Sequence, residues 1–205
     1  EKRKKNQNIN HKNTKKDSFK MTIRILLLII LFTTACVQSE KSTDSNIEIK
    51  KTVDKPSIDI QTAVISGNLE VVKQHIEAGT DINQKEQMSG STPLNSAATF
   101  NKPEIAKALI EANANLSIIN NDGSTALHTA AFFGRIEIVQ MLIDAKANKS
   151  MRNNFGATPR ETVMGEFAEI KPFYEMFKQQ LKPMGFVLDM NELEKARPVV
   201  AMMLQ

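Results

Sequence analysis

The chain has 205 residues, 41% of them hydrophobic and 24% charged, with a formal net charge of +4. The positive balance is an N-terminal feature, since nine of the 27 Lys and Arg but only two of the 23 Asp and Glu fall in residues 1–35. Residues 36–205 carry 18 basic and 21 acidic side chains, which removes the basic footprint that nucleic-acid binding needs.

Residues 1–20 hold Lys2, Arg3, Lys4, Lys5, Lys12, Lys15, Lys16 and Lys20, and Met21 stands where an initiator would. Residues 1–20 are therefore expected to be an upstream segment and 21–35 a signal peptide. Ile25 to Phe32 is uninterrupted apolar sequence, too short for the ~20 residues that cross a bilayer. A basic region, a short apolar run and small residues make a secretory signal. Thr33-Thr34-Ala35-Cys36 resembles the lipobox of bacterial lipoproteins, with Thr33 where that family usually has Leu. The resemblance implies cleavage before Cys36, acylation of Cys36, and a protein lipid-anchored in a bacterial cell envelope, facing the periplasm or the cell surface. Cys36 is also the only Cys, so no disulfide forms within the chain. The remainder of residues 36–57 is polar and charged, and is expected to be a flexible tether.

A phrase then recurs every 33 residues: GSTPLNSAA from Gly90, GSTALHTAA from Gly123 and GATPRETV from Gly156. Between the first two, Leu94 matches Leu127, Ala97-Ala98 match Ala130-Ala131, and Leu109-Ile110 match Leu142-Ile143. A fixed period of this length marks a stacked repeat. Ser124-Thr125 supply oxygens to cap a first helix, and the Ala pair allows a second helix to approach. After a turn at Phe133-Gly134-Arg135, Ile138, Val139, Leu142 and Ile143 make one apolar stripe on a second helix. An upstream copy containing Ile60, Ala63, Gly67, Glu70 and Ile76 aligns at a step of 34, placing one extra residue in the loop Gln84–Ser89. It has His75 where later copies have Leu109 and Leu142, read as polar substitution on a terminal repeat.

Helix, turn, helix and β-turn with TPLNSAA (Thr92–Ala98) and TALHTAA (Thr125–Ala131) resembles the ankyrin repeat, over residues 58–165. The resemblance implies an all-α ankyrin-repeat solenoid and a protein-binding role. It places helix-ending left-handed residues at Gly79, Asn113 and Lys146, with strain at Lys146.

Residues 166–205 keep helical patterning without repeating and are expected to be a helical C-terminal cap. One helix runs from Pro172 to Leu181, ended by Lys182-Pro183 and Gly185. A second follows the capping pair Asp189 and Glu192, with Met190, Leu193, Ala196, Val200, Met203 and Leu204 on its apolar face and a kink or restart at Pro198. The other reading of this tail is a mobile amphipathic helix touching membrane or partner.

Catalytic and cofactor signals are weak. The three His, at positions 11, 75 and 128, have no metal-ligand spacing, and no phosphate-binding Gly loop occurs; no metal and no cofactor is expected. His128 with Asp122 and Ser124 would permit a hydrolase, but the family resemblance implies a structural His bridging neighbouring copies. Recognition is expected at the turn tips and first-helix faces: Met88, Ser89, Ser91, Thr99, Phe100, Asn121, Asp122, Ser124, Phe132, Phe133, Asn154, Phe155 and Ala157. Phe100, Phe132, Phe133 and Phe155 form the expected exposed aromatic line. The resulting expectation is a non-enzymatic module, lipid-tethered to the membrane, that binds another protein; the alternatives are an immunity protein against an envelope-active effector, or a hydrolase at His128.

Overall fold

Side-chain caps start the first helix of each pair, and left-handed residues turn the chain between the two. The computed structural model describes residues 54–205. Its helices are α1 (Ile60–Ser66), α2 (Leu69–Glu77), α3 (Pro93–Thr99), α4 (Pro103–Glu111), α5 (Ala126–Phe132), α6 (Ile136–Asp144), α7 (Phe167–Leu181) and α8 (Met190–Met203), with 3-10 turns at Glu161–Val163 and Lys182–Met184. No strand occurs among the described residues. Asp59, Thr92 and Thr125 cap α1, α3 and α5, and Gly67, Asn101 and Gly134 turn left-handed before α2, α4 and α6. Gly79, Asn113 and Lys146 are also left-handed, Lys146 at φ 65°. A β-carbon there costs roughly 1–2 kcal/mol.

The helices stand in two rows. First helices α1, α3 and α5 pack side by side, and second helices α2, α4 and α6 do the same. Ala97, Ala98, Ala130 and Ala131 have no exposed surface, so the rows meet at the closest distance a side chain allows. Leu94, Ile105, Leu109, Leu127, Ile138, Val139 and Leu142 fill the space around them.

The fourth copy continues the stack by a different route. The turn Glu161–Val163 packs on α5 where a first helix belongs, and α8 packs on both that turn and α6 where a second helix belongs. Val163, Val200 and Leu204 share the core of the repeats. The chain from Glu166 to Asp189, including α7, is therefore inserted where earlier copies have a turn of two or three residues. The small pair of the earlier copies becomes Val163-Met164 here, and the first helix shrinks to one 3-10 turn.

Residues 166–205 thus do more than cap, and the apolar face of α8 is buried at Leu193, Ala196, Val200 and Leu204. Two helix expectations are corrected. α7 begins at Phe167, with Pro172 inside it, and α8 runs through Pro198 without a restart. Each Pro removes a donor from a carbonyl four residues back. Those carbonyls belong to Ala168 and Glu194, both on exposed residues where water can satisfy them.

Candidate functional site

The connecting turns form a hydrogen-bonded ladder along one edge of the stack. Within each turn one side chain gathers the following amides. Asn120 Oδ1 accepts from Asp122 and Ser124 N–H at 3.0 and 2.9 Å. Asn153 Oδ1 accepts from Phe155 and Ala157 N–H at 3.0 and 3.1 Å. In the first turn the extra residue falls between Glu86 and Ser91, and the longer Glu86 side chain spans it. Its carboxylate accepts from Met88 N–H at 2.7 Å, Ser89 N–H at 2.6 Å and Ser91 N–H at 3.2 Å, and from the Ser89 hydroxyl. Partial burial alone would raise the Glu86 pKa, but these donors outweigh it and hold the carboxyl below its usual value.

Three different side chains bridge neighbouring copies at one register. Gln61 Nε2 donates to Ser91 O at 3.0 Å, Asn95 Nδ2 to Ser124 O at 3.1 Å, and His128 Nε2 to Ala157 O at 3.1 Å. Sequence reasoning missed Gln61 and Asn95, although their spacing of 34 and 33 residues to the next bridge matches the repeat. His128 is 1% exposed, and its Nδ1 faces the Thr125 hydroxyl at 2.9 Å and Thr125 N–H at 3.3 Å. With Nε2–H donated to a carbonyl, Nδ1 is the acceptor, and neither nitrogen is free to serve as a catalytic base. His75 is a correction: it is fully buried, with Nε2 donating to Ile58 O at 2.7 Å and Nδ1 at 3.0 Å from the Thr80 hydroxyl. The imidazole ties the chain before α1 to the end of α2.

Burial is the main influence on His128 and lowers its pKa below the ordinary 6.5, opposed by the Ala157 and Met151 carbonyls. The unfolded chain therefore binds a proton near 6.5 that the folded chain resists. The stability this contributes is full above that pH and lost as pH falls through it toward the lowered folded value. Thermal midpoints should drop between about pH 7.5 and about pH 5, less so in His128→Asn. Because Asn95 already makes the equivalent bridge, His128→Asn should fold. His128→Ala, which empties a buried site and leaves Ala157 O with only its bond from Asn153 N–H, should cost about 1–3 kcal/mol by urea titration.

The structure divides the expected recognition residues. Met88, Ser89, Asn121, Asp122, Asn154 and Phe155 are exposed at the turn tips, with Met88 at 91% and Phe155 at 79%. Ser91, Thr99, Ser124 and Ala157 are half-buried. Phe133 is buried, and Phe100 and Phe132 are half-buried. They lie at the opposite ends of the first helices, where the inserted segment covers them. Phe132 meets Tyr174 with ring centres 4.6 Å apart, Phe133 meets Phe186 at 5.2 Å, and Phe100 meets Phe186 at 6.1 Å.

Two arginines fasten this cover without a carboxylate. Arg197 donates to Tyr174 Oη at 2.8 Å and Gly165 O at 2.6 Å. Arg135 Nη2 donates to Thr99 O at 3.2 Å and Val187 O at 3.1 Å, with Phe133 and Phe186 on its faces. Burial lowers the Arg135 pKa to about 10, so it stays charged at neutral pH. Among the described residues no group of three His, Cys, Asp or Glu is placed to hold a metal ion, and no helix is long and apolar enough to cross a membrane. Cys36 and the signal and tether expectations up to residue 53 lie outside the described residues.

Paired helices joined by hydrogen-bonded turns, with capping Thr and bridging His, agree with the comparison to known families, in which residues 60–153 match the family of ankyrin repeats in three copies. The fold is an ankyrin-repeat solenoid. Over 63 residues the chain is 42% identical to protein phosphatase 1 regulatory subunit 27 of Homo sapiens, and equally to that of Mus musculus. The match covers 31% of this chain and 40% of each relative, so the chain spans well under half the length of these curated proteins. Among solved structures, the ankyrin repeat domain of Bcl-3, a member of the IkappaB protein family, is similar at 30% identity and a TM-score of 0.49. That likeness covers 50% of this chain and 45% of the other.

Proposed function

We propose that this ankyrin stack is a non-enzymatic protein-binding module, held by a lipid on Cys36 at a bacterial envelope membrane and recognising its partner through the turn tips. The observation that carries the recognition part is the pair Met88 and Phe155, large apolar side chains left 91% and 79% exposed on turns fixed by the ladder. A partner that buries them meets side chains on a backbone already ordered, so little conformational entropy is lost on binding. Asn121, Asp122 and Asn154 between them give a polar rim that sets register. The relatives' name, a phosphatase regulatory subunit, agrees with action through another protein. The lipid rests on the Thr33–Cys36 signature, and it would raise the effective concentration of the module near a membrane-bound partner.

Partner capture from envelope extract tests the tips. Met88→Ser with Phe155→Ser should keep the helical signal and lose the captured protein; undiminished capture would move the site elsewhere. Cys36→Ser tests the anchor. Fractionation should find the variant released from the membrane or unprocessed, and unchanged membrane attachment would remove the lipid from the account.

A further inference from the structure

Two successive steps of the turn ladder are bonded alike, and a third has its acceptors but no donor. Asn121 donates its backbone N–H to Ser89 O at 2.9 Å and its side-chain amide to Met88 O at 3.0 Å. One copy on, Asn154 donates its N–H to Asp122 O at 2.9 Å and its side-chain amide to Asn121 O at 2.9 Å. The acceptors of the next step are the carbonyls of Phe155 and Asn154, and no donor among the described residues takes them. Where the period would put the next asparagine the chain has Val187, which lies in the insertion and gives its carbonyl to Arg135.

The glycines record the same vacancy. A β-carbon on Gly90 would lie 2.4 Å from Asn121 Oδ1, and one on Gly123 would lie 2.4 Å from Asn154 Oδ1. At Gly156 nothing lies within 4 Å, yet its φ of +75° keeps the backbone of the earlier steps. Gly156 thus holds open the space an asparagine fills elsewhere, with exposed Phe155 beside it. The other end of the ladder is closed. Met88 N–H is already donated to Glu86, and the Met88 side chain has no amide. A second copy of this chain therefore cannot extend the ladder head to tail from that end.

We propose that Asn154–Gly156 is the docking edge for a turn of a partner protein that presents an asparagine. The asparagine's backbone N–H and carboxamide continue the ladder onto the carbonyls of Phe155 and Asn154, and the flank of the turn packs on the Phe155 ring. Edge pairing of this kind takes affinity from main-chain hydrogen bonds and specificity from the flanking side chain. The inference rests on the turn-tip reading above and adds what the partner must bring. It continues an interface that the protein already makes twice within itself.

The probe is a synthetic peptide of this chain's own turn, residues 116–126, which contains Asn121. Titrated to on the order of 1 mM against the isotope-labelled full chain, it should give saturable amide shifts at Phe155, Gly156 and Ala157. A peptide with Asn121→Leu should bind at least about ten-fold more weakly. Gly156→Ala in the labelled chain should abolish the shifts. Gly79→Ala, also left-handed with open space around its β-carbon, should keep them and serves as the control for strain. Absent shifts, equal shifts with the Leu peptide, or equal loss in Gly79→Ala would each overturn the proposal. If the peptide docks while Phe155→Ser leaves partner capture intact, the turn-tip reading fails and the edge stands. If capture needs Phe155 but the peptide never docks, the edge fails and the reading stands.

Discussion

Phe133→Ala is expected to cost about 3–5 kcal/mol of stability, while Phe155→Ala should stay within about 0.5 kcal/mol of the parent protein. The two residues were equivalent expectations on one recognition line, and burial separates them. Phe133 is 6% exposed and its ring meets Phe132, Phe177 and Phe186 at 5.0, 5.8 and 5.2 Å. Removing it leaves a cavity in the cluster of rings from Phe132, Tyr174, Phe177 and Phe186 and uncovers one face of Arg135. Phe155 touches no such cluster, so its truncation removes surface already in water. Urea titration of both variants checks this. The loss in Phe133→Ala should also loosen α7, because Tyr174 Oη donates to Phe132 O at 2.9 Å across the same cluster.

Gly123→Ala should destabilise by about 2–3 kcal/mol, against about 1 kcal/mol for Gly156→Ala. Both residues have positive φ, so both substitutions carry backbone strain. Only at Gly123 does the new β-carbon also meet the next turn, 2.4 Å from Asn154 Oδ1 and 2.8 Å from its backbone nitrogen. Either the methyl group or Asn154 must move, and the two ladder bonds of Asn154 weaken with it. Thermal melts of the pair separate the steric part from the strain they share. Equal losses would mean that the ladder contributes little to the stack.

The period was legible because each repeating residue answers a local geometric demand. Gly90 and Gly123 are fixed by φ and by the asparagine of the next turn, Thr92 and Thr125 by the helix caps, and the alanine pairs by helix approach. Such demands leave residue types in register. The fate of Phe100, Phe132 and Phe133 was not legible, since a period places a residue within its copy without saying what covers that place. Their cover comes from Tyr174 and Phe186, tens of residues away in a segment that does not repeat. A signal did exist: Phe167, Phe173, Tyr174, Phe177 and Phe186 crowd the tail, and so many aromatics need apolar partners. The role of α8 as a second helix of the stack was hidden for a related reason. The insertion of α7 displaces it from the 33-residue register, although its buried face at Leu193, Ala196 and Val200 was readable from spacing.

The insertion also offers a rival surface, because Phe173 on α7 is 55% exposed. A photo-reactive phenylalanine analogue placed in living cells at position 155 or at position 173 compares the two directly. Recognition through the turn tips gives a single strong protein adduct from position 155 and none from position 173. An adduct from position 173 with none from position 155 would contradict it, and would move recognition from the ankyrin turn tips to the inserted helix.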